Sequence, residues 1–122
     1  FGYAYQKLLY QNELIALGTD FPIENISPIE TFYAAVARKN KNGMPKNGFQ
    51  IENALSRWET LKGMTIWAAL SNFEEQDKGS LEVNKLADFI ILDRNILTVP
   101  EDEILETQVK ATYINGELVY KQ

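Results

Sequence analysis

Leu14-Ile15-Ala16-Leu17-Gly18-Thr19-Asp20-Phe21-Pro22 is the stretch on which the fold turns. A continuous apolar run at 14–17, set between Asn12 and Gly18, lacks the alternation of a half-exposed strand and suggests one buried on both faces. Strands buried in that way belong to parallel sheets. Gly18 to Pro22 then breaks the run, because Pro22 disfavours helical geometry at Phe21 before it. The predicted strand therefore ends in a turn that carries a carboxylate, Asp20.

Working outward, Tyr3 to Gln11 is predicted to be a short helix ending at Asn12, a residue that tolerates the left-handed conformation of a helix terminator. Downstream, Ser27-Pro28-Ile29-Glu30 reads as a helix start: Ser27 caps, Pro28 suits the first helical position and Glu30 closes a capping box. This helix is expected to run to about Asn40 with Ile29, Phe32 and Val36 on one face. Arg38, Lys39 and Lys41 fall in or just past its last turn, where positive charge complements the helix dipole. Asn42 to Gly48, with its Asn and Gly breakers and Pro45, reads as a mobile surface loop. A second helix is expected from about Glu52 to Lys62, with Ile51, Leu55, Trp58 and Leu61 inward and Gly63 as its stop. A third begins near Thr65 and holds Ile66, Trp67 and Leu70; both tryptophans read as core. Glu74, Glu75 and Asp77 read as a solvated loop.

Near Leu86 the period changes. Residues 88–93 are strand-like, Pro100 with Glu101, Asp102 and Glu103 opens a short helix, and Asn115-Gly116 between two β-rich runs is a strong hairpin signal. Helices are thus expected to dominate from Ser27 to about Asn72, followed by a small antiparallel sheet of 88–92, 110–115 and 117–121.

Composition narrows the function. The chain has 122 residues, enough apolar content for a core, and a net charge of −5 from 17 acidic and 12 basic residues, which argues against a nucleic-acid surface. Its apolar runs are far shorter than a membrane span, so no membrane contact is expected of this segment. There are no cysteines and no histidines, so disulfides, thiolate sites, a cysteine nucleophile and imidazole ligands are excluded here. The opening Phe1 suggests an internal cut from a longer protein, with any targeting segment upstream; the compartment stays open, with the cytoplasm as the default.

Three stretches, in this order, resemble the amidohydrolase superfamily, and more closely its family 3 branch of YtcJ-like enzymes. ALGTDFPIE at 16–24 is similar to the family's last barrel strand; PIETFYAAVARKN at 28–40 looks like the helix after it; KGSLEVNKLADFIILDRN at 78–95 resembles the segment returning from the barrel to a small β domain. The closing VKATYINGELVYK resembles the family's final hairpin. The resemblance implies an α+β fragment: the last βα portion of a (β/α)8 barrel over residues 1–77, and the C-terminal strands of a composite β-sandwich domain over 78–122. A complete barrel needs about 250 residues, so only this portion fits. Asn84 stands where the family usually has Gly, and Asn tolerates the same left-handed turn.

The resemblance further implies hydrolysis of a C–N bond other than a peptide, in an enzyme using a divalent metal, with zinc the first candidate. Asp20 would be the catalytic carboxylate, a metal-site group and general base/acid, completed by histidine ligands on strands outside this chain. By local pattern alone Asp20 reads equally well as a turn cap before Pro22. Phe21, Glu24 and Arg38 are the candidate substrate-binding residues: Phe21 as pocket lining, Glu24 against a solvated loop position, and Arg38 as a fork for a substrate carboxylate or a loop clamp. Asp88 is expected to fix the turn from Lys85. A small-molecule substrate and a homo-oligomer are the expected partners, and no cofactor is expected on these residues alone. The competing reading is a non-catalytic C-terminal binding or assembly module of a larger protein.

Overall fold

In chain order the elements are α1 (Tyr5–Asn12), α2 (Pro28–Ala37), a 3-10 turn (Ile51–Asn53), α3 (Arg57–Met64), α4 (Ile66–Ser71), β1 (Phe89–Leu92), a second 3-10 turn (Glu101–Glu106), β2 (Val109–Ile114) and β3 (Glu117–Lys121). They come from a computed structural model that describes residues 2–122, so Phe1, the first residue of the apolar opening segment, lies outside the described residues.

The helix ends follow from local chemistry. Asn12 is still helical, and Glu13 takes the left-handed conformation (φ 62°) that closes α1, its N–H donating to Leu9 O at 2.8 Å. At α2, Ser27 Oγ accepts from the Glu30 N–H at 3.4 Å, and Pro28 occupies the first turn. The Glu30 carboxylate instead accepts from Asn25 Nδ2 at 2.9 Å, so the expected reciprocal box is half made. The helix stops at Ala37, short of Asn40, because Arg38 turns left-handed (φ 54°). Phe32, Tyr33, Ala35 and Ala37 are buried, and Ile29 and Val36 pack beside them.

The helix expected from Glu52 to Lys62 is replaced by the 3-10 turn, an extended Ala54-Leu55 link and α3. Ser56 is the reason. Its Oγ accepts from the Glu59 N–H at 3.2 Å while the Glu59 carboxylate accepts from the Ser56 N–H at 2.7 Å, a complete capping box. Starting the helix there rotates Trp58 outward, where it is 62% exposed rather than core. Leu55 is buried from the link, Ile51 and Leu70 are exposed, and Trp67 is partly buried beside Leu9, Ala35 and Leu55. Gly63 lies inside α3 and does not stop it.

Loss of the Ser56 cap is expected to cost about 1 kcal/mol. Burial pushes the Glu59 carboxyl up, but its hydrogen bonds with Ser56 and Gln6 and the nearby Lys62 charge together outweigh this and hold it below its ordinary value. A depressed folded value contributes stability above the unfolded value and loses it as pH falls through the folded one. Urea denaturation should show Ser56→Ala less stable than the parent across the pH range, and Glu59→Ala less stable at neutral pH with a gap that narrows through the acid range, because the Ser56 N–H bond to the carboxylate goes with the latter variant. A Glu59→Ala gap that stays constant down to strongly acidic pH would show that the carboxylate half of the box contributes nothing.

Residues 14–17 are extended but join no ladder among the described residues, and they are not buried on both faces. Leu17 N–H donates to Gly63 O at 2.9 Å, Ile15 and Leu17 are partly buried, and Ala16 is exposed. A strand buried on both faces sits inside a sheet with a layer packed on each side, and among the described residues no strand pairs with this segment to build one. Gly63 permits the close approach: a Cβ on it would lie 2.9 Å from Ile15 O and from the Leu17 side chain.

The C-terminal part matches the expected sheet. Its strands run antiparallel in the order β1-β2-β3, with Phe89 opposite Tyr113 and their rings stacked at 4.5 Å. Asn115 (φ 50°) and Gly116 (φ 78°) form the hairpin turn. Asn84 is left-handed at φ 76°, as expected of its position. Asp88 does not fix a turn from Lys85: its carboxylate accepts the Asn115 N–H at 2.7 Å, whereas Lys85 Nζ donates to Ser80 Oγ at 2.6 Å. Glu74 pairs with Lys78 at 3.0 Å, but Glu75 is only partly exposed, with Oε2 buried, so the acidic run is not uniformly solvated. The main core joins Phe32, Tyr33 and Ala37 of α2 to Ile96 and Ile104.

Candidate functional site

The segment from Leu17 to Asp20 forms part of the wall of an open cleft of about 580 Å³, shared with Glu24, Tyr5, Tyr33 and Lys39. Asp20 adopts φ 53°, and its main-chain carbonyl accepts from the N–H groups of Ile23 (2.9 Å) and Glu24 (3.4 Å). Thr19 Oγ1 accepts from the Phe21 N–H at 3.4 Å. The turn is thus closed by a main-chain carbonyl and a threonine hydroxyl. The exposed Asp20 carboxylate accepts no hydrogen bond among the described residues, so its side chain is not consumed as a turn cap.

Of the four residues singled out from sequence, Asp20 and Glu24 share the cleft, while Phe21 and Arg38 do not line it. Phe21 is 60% exposed. Arg38 is only 7% exposed; its Nε donates to Phe49 O at 3.0 Å, and its guanidinium lies 5.1 Å from the Tyr5 ring centroid and 5.7 Å from that of Phe49.

Sequence reasoning missed Tyr5, Tyr33 and Lys39 as cleft residues, since only the packing of α1 and α2 against the 17–20 segment brings them there. Lys39 Nζ meets Glu101 Oε1 at 2.7 Å, and that hydrogen bond raises its pKa. Burial raises the Tyr5 phenol, against an opposing pull from Arg38, so it remains a protonated O–H at neutral pH.

Among the described residues no three acidic side chains converge as a metal site. Catalytic divalent centres use about three protein ligands, so these residues do not by themselves fit such a centre. Asp20 is the candidate ligand that this chain offers.

Comparison with known proteins places this geometry in a family. The chain is 32% identical over 108 residues to an N-substituted formamide deformylase of Arthrobacter pascens, covering 88% of this chain and 19% of that protein. It is 27% identical over 120 residues to the putative amidohydrolase YtcJ of Bacillus subtilis (strain 168), covering 98% and 23% respectively. The solved structure of an amidohydrolase from Thermotoga maritima MSB8 superposes with a TM-score of 0.60 at 27% identity, over 98% of this chain and 26% of that one. The chain therefore spans about a fifth to a quarter of the length of the relatives it matches. With the family 3 amidohydrolase profile matching residues 1–120, the chain belongs to the amidohydrolase family.

Proposed function

We propose that this chain is the C-terminal portion of a metal-dependent amidohydrolase that hydrolyses a non-peptide C–N bond in a small molecule, with Asp20 as metal-site carboxylate and general base/acid. The observation that carries the reading is the unengaged Asp20 carboxylate on an open cleft, in a turn closed by other groups. The names of relatives, a deformylase and an amidohydrolase, support C–N hydrolysis as the reaction class. A divalent ion would supply Lewis acidity when bound, its remaining ligands coming from outside residues 1–122.

The work assigned to this chain is proton handling. Asp20 takes a proton from the attacking water and returns it to the leaving nitrogen, which then departs as a neutral amine. Exposure lets the carboxylate meet both partners, and the left-handed turn sets where it stands.

The test is turnover of N-substituted formamides, other amides and esters by the full-length protein, with metal content measured before and after chelation. Amide hydrolysis that disappears with the metal and returns on its restoration is the expected result. A metal-replete protein that hydrolyses no member of the panel would sink the proposal in favour of an assembly module.

A further inference from the structure

Arg38 is the residue whose surroundings the proposed chemistry leaves unexplained. It occupies a left-handed position (φ 54°) at the end of α2, where glycine or asparagine is the undemanding choice. One of the guanidinium's five donors is spent: Nε donates to Phe49 O at 3.0 Å, while Phe49 N–H donates back to Arg38 O at 2.7 Å. This two-way clamp holds the 42–50 loop against α2, so tightly at Gly48 that a Cβ there would sit 2.8 Å from Ala37 O. The clamp accounts for Nε alone. Nη2 is buried with no partner, and Nη1 makes no hydrogen bond among the described residues.

A buried cation without a counter-charge is strongly unfavourable. The Tyr5 and Phe49 rings offset part of that cost through cation–π attraction, but they accept none of the Nη protons. The adjoining sequence adds positive charge. Between Thr31 and Ile51 there is no Asp or Glu, yet Arg38, Lys39, Lys41 and Lys46 all fall there, in a chain of net charge −5. Of these four, Lys39 has its own carboxylate, Glu101.

We propose that Arg38 is a carboxylate-binding site, its Nη groups receiving a carboxylate beside the Tyr5 and Phe49 rings. The planar fork matches a carboxylate in two parallel hydrogen bonds. The carboxylate belongs either to a bound small molecule or to an Asp or Glu side chain of the protein beyond these residues.

Side-chain nitrogen NMR on the full-length protein tests this without turnover, so its outcome is separate from the fate of the Asp20 reading. Arg57, which donates to Ile96 O, and Arg94, which is paired with Asp93, Glu103 and Glu106, serve as internal references. Arg38→Lys identifies the Arg38 resonance and, if it folds, should bind acetate at least about tenfold more weakly. A saturable Arg38 shift with sodium acetate and none with acetamide assigns the site to a small-molecule carboxylate. No acetate response, but a shift of Arg38 as pH falls through the carboxylate range while Arg57 stays still, assigns it to a carboxylate of the protein. An Arg38 resonance deaf to both, or an acetate shift shared equally by Arg38, Arg57 and Arg94, overturns the proposal and leaves Arg38 as a loop clamp.

Discussion

Asp20→Asn in the full-length enzyme is expected to lower kcat by roughly 10² to 10⁴, the range typical of a lost general acid or base, with circular dichroism and thermal stability close to those of the parent. Asparagine keeps the size and hydrogen-bonding shape of the side chain but cannot take the proton from water. The fold should tolerate it, because the Asp20 turn is held by its own carbonyl and by Thr19 Oγ1 rather than by the carboxylate. Asparagine is also among the residues that best accept the left-handed conformation found at φ 53°. Metal content should be measured alongside, since loss of the ion would lower the rate by a different route. Turnover within about threefold of the parent, far inside the range for a lost proton-transfer group, would show that Asp20 is only a turn residue.

The largest effect on stability is expected at Ile104, not at the site. Ile104 is fully buried in the Glu101–Glu106 turn and packs with Phe32, Tyr33, Ala37 and Ile96, with Leu92 of β1 against the same cluster. It therefore links α2 to the C-terminal part of the chain. Truncation to alanine removes transfer free energy and leaves a cavity, together about 2–5 kcal/mol, a large share of the roughly 5–15 kcal/mol that domains possess. Ile104→Ala should lower the urea midpoint accordingly, whereas Val83→Ala, at a position 90% exposed, should move it by less than about 0.5 kcal/mol. Equal effects at the two positions would mean that α2 and the C-terminal part do not share one core.

Particular residues show how much could be read without coordinates. Ser27-Pro28 starting α2, the Asn115-Gly116 hairpin, the left-handed Asn84 and the antiparallel sheet were all legible, and the Ser56-x-x-Glu59 box is equally local, although the apolar spacing from Ile51 points to an earlier start at Glu52. The extended link before α3 breaks the helical phase between Ile51 and Trp58, so the face shared by their spacing in sequence is not shared in space and Trp58 turns outward. The site was legible only as Asp20 in a turn. The cleft around it, the separation of Phe21 and Arg38 from that cleft, and the unanswered Nη groups of Arg38 were not.

The division has a physical cause. Caps, turns and left-handed positions are decided by sterics and hydrogen bonds within a few residues, so the sequence by itself determined where α2 begins, where the last hairpin folds and that Asp20 ends an extended apolar segment. Burial and charge pairing depend on which distant atoms arrive to exclude water. Only the tertiary structure could decide that the 14–17 segment rests on Gly63, that Asp88 holds Asn115, and that Arg38 is enclosed by Tyr5 and Phe49 with no carboxylate paired to it among the described residues.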